Sequence, residues 1–320
     1  MQGACFAMIE AEQLSLSYGA VKAVCDVSFR IARSEIVGLL GHNGAGKTTI
    51  MKMLTGYLEP SAGRITIDGF DITRERHEIQ RCIGYLPENC PVYPDMSVID
   101  YLDYQASLQG VPSAERAAAT RQAIRSTGLE PRAMHSVATL SRGYRQRVGV
   151  ARAILHKPRI VILDEPTNGL DPSQIQHMRK LIRELAQHAT VLLSTHILQE
   201  VEAVCTRVLM IRQGRLALDA KLSELDQTHG LQVCVGAPPK RVRAVLAAVG
   251  GVERIEETGA EQGRYSYRLQ LGESDPAGIA CAVGRAMHAN GIALYRLQPE
   301  IMELEAVFRE INEAEEAVHA

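Results

Sequence analysis

Apolar and polar side chains alternate between residues 8 and 36, the period of a half-buried strand. The alternation predicts strands over Ile9 to Ser17 and over Val27-Ser28-Phe29-Arg30-Ile31. Glu35-Ile36-Val37-Gly38-Leu39-Leu40 gives up the alternation for a continuous apolar run, as a strand buried on both faces does. Arg64-Ile65-Thr66-Ile67-Asp68-Gly69 is a strand ending in an Asp-Gly turn, and Ile83-Gly84-Tyr85-Leu86 is a short one stopped by Pro87. Over residues 95–157 the pattern becomes helical. Ser97, with Asp100 three residues on, resembles a capping box ahead of Val98-Ile99-Tyr101-Leu102. An Ala-rich helix over 113–127 closes at Gly128, and another starts at Ser141, runs through Leu155 and is ended by Pro158. Strand 159–163, helix 172–188, strand 190–194 and helix 197–204 then restore a β/α alternation. Asp171-Pro172 supplies a capping side chain followed by a proline in the first turn. Val208-Leu209-Met210-Ile211 and Arg215-Leu216-Ala217-Leu218 flank Gln213-Gly214 as a hairpin.

The pattern breaks between Gln227 and Gly230, which divides the chain into domains 8–228 and 229–320, with a helical subdomain at about 90–157. The second domain reads as strand 231–235, helix 239–248, strand 252–258, strand 264–271, helix 276–289, strand 292–297 and helix 300–312. The first six make β-α-β-β-α-β, the order of a ferredoxin-like fold. The fold class is α/β throughout. The tail from Glu310 to Ala320 is acidic and Ala-rich, as a fraying helix end is.

Composition narrows the picture. A net charge of -2 gives no electrostatic case for nucleic acid, so no nucleic-acid partner is expected. The 7 cysteines are scattered, odd in number and form no C-x-x-C pair, favouring reduced cytosolic thiols over disulfides or a zinc site. No apolar run reaches the length of a membrane span, and no secretion signal is visible at the N-terminus, where Met8 is as good a start as Met1.

Candidate chemistry begins with Gly41-His42-Asn43-Gly44-Ala45-Gly46-Lys47-Thr48, which fits G-x-x-x-x-G-K-[ST]. In such a loop the backbone N–H groups turn inward on phosphate oxygens, the lysine reaches the β- and γ-phosphates and the hydroxyl ligates Mg²⁺. The strand before it and the helix begun by Thr49 supply the right context, against the plainer reading of a Gly-rich turn. A phosphate-binding loop of this type needs a carboxylate at the end of a buried strand. Arg159-Ile160-Val161-Ile162-Leu163-Asp164-Glu165 offers Asp164 toward the metal and Glu165 as base for the attacking water. The plainer alternative is an acidic pair capping the turn before Pro166. Val191-Leu192-Leu193-Ser194-Thr195 ends in His196, placed either to donate to the γ-phosphate or to sit as an ordinary surface histidine.

With these residues in order, residues 8–225 resemble an ABC-transporter ATPase subunit. Gly41 to Thr49 match its Walker A segment, and Leu140-Ser141-Arg142-Gly143-Tyr144-Arg145-Gln146-Arg147 its signature L-S-G-G-Q-x-Q-R. Asp164 and Glu165 match the Walker B pair, Gly169-Leu170-Asp171 the D-loop, and His196 the switch histidine. Tyr18 stands where the family places an aromatic on adenine. The resemblance implies a P-loop NTPase cassette with a mixed sheet core, an antiparallel β subdomain and a helical subdomain. It further implies ATP and Mg²⁺ as cofactors, with Thr48, Asp164 and Glu88 on the metal and Glu165 and His196 in hydrolysis. ATP would contact Tyr18, residues 41–49 and, across a head-to-tail homodimer, Ser141, Gly143 and Asp171. The implied partner is a separate multi-span membrane permease, with this subunit cytoplasmic on the inner face of the membrane.

This chain departs from the family pattern at Arg142 and Tyr144, where Gly and Gln are usual, and at Glu88, where the Q-loop has Gln. Arg142 would either aid an anionic site or pair with an acid. Glu88 keeps one oxygen acceptor and loses the amide donor. Gly84-Tyr85-Leu86-Pro87-Glu88-Asn89 with Leu-Ser-Arg-Gly-Tyr is similar to single-cassette export ATPases of gliding-motility and multidrug type, as is the closing Glu303-Leu304-Glu305-Ala306-Val307-Phe308. In that setting Met96, Val98, Leu102 and Leu108 are candidates for contact with a permease helix. The competing function is a soluble ABC ATPase acting on ribosomes or DNA. Its usual tandem cassettes, long heptad runs or C-x-x-C hook are missing from this sequence.

Overall fold

The computed structural model describes residues 8–225, 228–261, 263–272, 275–301, 304–306 and 308–309, in two compact units, Met1–Leu222 and Ser223–Ala320. In the first unit, β1 (Ile9–Tyr18) pairs antiparallel with β2 (Val21–Ile31), from Ile9 opposite Ile31 to Tyr18 opposite Val21. Buried Ile9 and Ala11 are followed by buried Leu14 and Leu16, so the alternation slips by one residue. The register shifts at that point and Gln13 takes a positive φ of 51°, as a β-bulge requires. After β3 (Ile36–Leu40) and helix α1 (Lys47–Leu54), β4 (Ala62–Ile67) and β5 (Phe70–Asp71) complete a sheet of order β2-β1-β4-β5.

Helix α2 (Arg76–Cys82) leads into β6 (Ile83–Leu86), and a helical block follows: α3 (Val98–Leu108), α4 (Ser113–Ser126) and α5 (Arg142–Ile154). The Ser97 hydroxyl accepts the Asp100 N–H at 3.2 Å and donates to the Asp100 carboxylate at 2.5 Å, so the capping box closes through the side chain. Tyr101, Leu102, Leu129, Val137, Leu140 and Val148 form the core of this block. Of the four apolar residues singled out above, Val98 and Leu102 are fully buried there, Met96 packs against it and Leu108 is exposed. On α5 the Ser141 cap is worth about 1 kcal/mol. Burying Val148, Val150 and their neighbours is worth roughly 2 kcal/mol per large side chain, so the cap sets where the helix starts and packing decides that it forms.

The chain then alternates β7 (Ile160–Asp164), α6 (Pro172–Ala186), β8 (Thr190–Thr195), α7 (Leu198–Val204) and the hairpin β9 (Arg207–Arg212) and β10 (Arg215–Lys221), with the short α8 (Leu222–Leu225) behind it. The hairpin turn places Gln213 and Gly214 at φ 47° and 76°, as a two-residue turn of that hand demands. The second sheet runs β10-β9-β3-β8-β7-β6, parallel except for the β9–β10 hairpin. Strands β3, β7 and β8 are buried at every residue, which is why their sequences do not alternate. Leu40 lies level with Thr195 and Asp164 with Ser194, so the carboxyl ends of three neighbouring strands open at one edge. Ligands of parallel sheets bind outside that edge.

In the second unit, β11 (Thr228–Val235), α9 (Pro239–Ala247), β12 (Val252–Glu261), β13 (Arg264–Leu271), α10 (Pro276–Ala289) and β14 (Leu294–Ile301) form an antiparallel sheet of order β12-β13-β11-β14. Leu231, Val233, Val242, Leu246, Leu269 and Val283 are fully buried in its core. Several elements differ from the sequence pattern: β2 begins at Val21, β5, α2 and α8 are additional, and β14 runs from Leu294 through Ile301 where a strand over 292–297 and a helix from residue 300 were expected. Pro299 sits in β14, and an edge strand tolerates a residue that has no N–H to donate. Residues 304–306 and 308–309 are helical, whereas Glu303, Val307 and the tail from Glu310 lie outside the described residues.

Candidate functional site

The loop from Gly41 to Gly46 joins β3 to α1 and must be glycine at two crowded points. A Cβ at Gly41 would meet the Ile211 carbonyl oxygen at 2.3 Å. Gly46 has a φ of 110°, and a Cβ there would meet the Ala23 carbonyl oxygen at 2.6 Å. The Gly214 N–H donates to the Ala45 carbonyl at 2.9 Å, tying the loop to the hairpin turn. Lys47 is buried and donates from Nζ to the carbonyls of Gly41 at 2.7 Å and His42 at 3.2 Å. The same ammonium lies 3.6 Å from Glu165 Oε1. Thr48 Oγ1 lies 3.4 Å from Asp164 Oδ1, across from the end of β7.

Beyond Asp164 the chain turns sharply, and Glu165 has a φ of 49°. A non-glycine residue in this region costs of order 1 kcal/mol and persists where its surroundings fix it. Ser194 on β8 is the fixing group. Its hydroxyl accepts the Glu165 N–H at 2.9 Å and donates to Asp164 Oδ1 at 2.5 Å. The Glu165 carboxylate therefore stands between Lys47 on Oε1 and His196 Nδ1 on Oε2, the latter at 2.9 Å. Burying a Lys–Glu pair is poor value for stability. What the pair does is hold the carboxylate in one place. Asp164 Oδ2 is buried and has no hydrogen-bond partner.

Glu88, after β6, accepts from Asn168 Nδ2 at 3.4 Å. Asn43, Gly44, Lys47, Glu88, Glu165 and His196 line one cleft of about 360 Å³, along with Gly46, Thr48, Thr49, Ala23 and Asn168. The structure thus brings together most of the site residues expected from the sequence. Gly41 and His42 lie under the Lys47 ammonium and Ala45 anchors the loop. Tyr18, Ser141, Gly143 and Asp171 do not line the cleft. Tyr18 ends β1 and is 51% exposed. Ser141 caps α5, accepting the Tyr144 N–H at 3.5 Å, and Gly143 is buried in its first turn. Asp171 caps α6, and the Gln174 N–H with the Ser173 hydroxyl holds its carboxyl below the usual range. Tyr144 lies between the guanidinium groups of Arg132 at 5.6 Å and Arg147 at 5.3 Å and packs against the helical core. Ser194, Asn168 and Ala23 were missed in the sequence reading. For Ser194 the signal was a hydroxyl at the carboxyl end of the apolar run Val191-Leu192-Leu193, next to Thr195 and His196.

The family described as ABC transporter matches residues 24–168. The ABC transporter ATP-binding protein NatA of Bacillus subtilis (strain 168) is 40% identical over 211 residues, 65% of this chain and 86% of NatA. The chain belongs to the ATP-binding subunits of ABC transporters. The Nod factor export ATP-binding protein I of Paraburkholderia xenovorans (strain LB400) is 36% identical over 258 residues, 79% of this chain and 84% of the relative. A dimeric, post-hydrolysis ATP-binding cassette bound to ADP and Pi has the same fold, with a TM-score of 0.62 at 23% identity, covering 67% of this chain and 99% of that one. ABC ATP-binding domains bind ATP and are ATPases. No helix among the described residues of this ABC subunit is long and apolar enough to cross a membrane.

Proposed function

We propose that the chain hydrolyses ATP as one half of a head-to-tail homodimer and energises a separate multi-span export permease, docked on the inner face of the cell membrane. The observation that carries this reading is Glu165, held between Lys47 and His196 at the loop's mouth, while Ser141 and Gly143 stand outside the cleft. A site with a positioned base and no groups beyond the γ-phosphate is half of a composite site. The N-terminus of α5, with Ser141 and the Gly143 N–H, suits the anion that a second copy would present.

In this reading the backbone of residues 41–49 wraps the phosphates and Tyr18 stacks on adenine. Asp171, in the D-loop, reaches the second copy. The γ-phosphate competes with Glu165 for Lys47, which leaves Glu165 to take the proton of the attacking water. His196 meets Glu165 through Nδ1, and donates from Nε2 to the phosphoryl oxygens when both ring nitrogens carry hydrogen. The unpartnered Asp164 Oδ2, with Thr48 nearby, fits Mg²⁺, and Glu88 stands on the same side through Asn168. No cluster of three His, Cys, Asp or Glu poised for a metal occurs among the described residues, so nucleotide oxygens would complete the shell. When bound, Mg²⁺ neutralises charge building on the phosphates.

We assign residues 8–228 and 229–320 to the two domains, and the second to the ferredoxin-like class as an accessory to the dimer. Names of relatives, Nod factor export among them, support export as the direction. The test is ATP turnover by the purified chain, together with co-isolation of a multi-span membrane partner. Mg²⁺-dependent phosphate release that disappears in Glu165→Gln supports the reading. Co-isolation with ribosomal particles and no membrane partner would overturn it in favour of a soluble ABC ATPase.

A further inference from the structure

Two long side chains are exchanged between the signature helix α5 and the segment made of the D-loop and the start of α6. A Cβ built on Gly169, whose φ is 69°, would lie 2.5 Å from Cζ of Arg142, 2.7 Å from Nη1 and 2.8 Å from Nε. The Arg142 guanidinium therefore lies on the Gly169 backbone. A Cβ built on Gly143 would lie 2.0 Å from Oε1 of Gln174, so the Gln174 amide lies on Gly143 in the same manner. Each segment offers a glycine as a seat and a long polar side chain to fill the other's seat. The frame under both is firm. Asp171 accepts the Gln174 N–H at 2.9 Å, and the Asn168 and Leu170 N–H groups close turns onto Glu165 and Thr167.

Arg142 is otherwise badly placed. It is exposed in the first turn of α5, at the positive end of the helix dipole, with no acidic residue in that turn and no ion pair among the described residues. A cation there is unfavourable for the helix itself, so its contact with Gly169 is the physical reason the structure offers for it.

We propose that Arg142 and Gln174 are positioning residues that clasp the signature helix to the D-loop of the same chain, so that both engage and release the second copy as one body. This rests on the composite-site reading above. The consequence is that the γ-phosphate contacts of Ser141 and Gly143 form only when residues 169–171 are also in place. Gly169 is then required for two separable reasons, its backbone conformation and the guanidinium lying on it.

The test compares Arg142→Ala, Gln174→Ala and Gly169→Ala, singly and with Gly169→Ala combined with Arg142→Ala. Arg142→Ala and Gln174→Ala should leave the affinity of the dilute monomer for a fluorescent ATP analogue unchanged, lower kcat about tenfold and flatten the dependence of rate on ATP concentration. The thermal midpoint of Arg142→Ala should hold or rise, because a cation leaves a helix N-terminus, which a purely structural role would not produce. Gly169→Ala should cost less turnover in the Arg142→Ala background than in the native chain. Unchanged kcat in both Arg142→Ala and Gln174→Ala, or an equal cost of Gly169→Ala in the two backgrounds, overturns the clasp. Failure of the composite site would show separately, as Glu165→Gln remaining monomeric with ATP and Mg²⁺.

Discussion

The cleft around Lys47 and the end of α5 around Ser141 carry opposite kinds of order. In the cleft, three neighbouring parallel strands end level, and Lys47, Glu165, His196 and Asp164 Oδ1 already have partners within the chain. Lys47 holds two carbonyls and Glu165, and Ser194 pins both Asp164 and Glu165. At α5 the groups fitted to an anion stand outside that cleft: Ser141 bonds within its own helix, Gly143 lies under Gln174 of α6, and their neighbour Arg142 lies on Gly169. In the proposed reading, positioning the water-activating base is a property of one chain, whereas meeting the far side of the γ-phosphate takes a second.

Substitutions on the two sides should separate accordingly. The largest effect belongs to Glu165→Gln, which removes the base and should lower phosphate release by about 10²–10⁴ while ATP still binds. Lys47→Ala should weaken ATP binding by roughly 10- to 100-fold, the scale of lost charge-assisted hydrogen bonds, measured by titration with a fluorescent analogue. Ser141→Ala sharpens the contrast. It should leave monomer affinity alone and lower kcat by about fivefold, with the loss of the helix cap followed separately by thermal melting. Glu88→Gln keeps an oxygen acceptor and should retain turnover to within about threefold in a steady-state assay. The smallest effect lies away from both regions. Burial depresses the pKa of His156, which contacts the Ile83 carbonyl at 3.1 Å and Gln109 at 3.0 Å. The unfolded chain then binds the extra proton more readily, so stability falls as pH drops below about 6.5. Melting curves of His156→Gln should lose part of that acid sensitivity.

The cleft was legible from sequence because its parts are local. Residues 41–49 form a continuous loop, and Asp164, Glu165 and His196 sit where apolar strands stop. What escaped is what tertiary contact creates. Helix α2 buries only Ile79, so Arg76-His77-Glu78-Ile79-Gln80-Arg81-Cys82 shows no periodic apolar face. Strand β2 starts with exposed Val21 and Lys22, ordered by pairing with β1. Strand β14 continues past residue 297 through Pro299, which its edge position tolerates. The roles of Ser194 and Gln174 need neighbours 29 to 31 residues away in the chain, Glu165 and Asp164 for Ser194 and Gly143 for Gln174. At Arg142 two readings were open, aid to an anion or pairing with an acid, and the structure instead lays the guanidinium on Gly169.

The central claim is that one chain holds half a site. It is tested most directly by sizing Glu165→Gln with light-scattering detection, with and without ATP and Mg²⁺. The account predicts a monomer without nucleotide and a stable dimer with it, lost again when Ser141→Arg is added. A variant that binds ATP and stays monomeric at every concentration would contradict it.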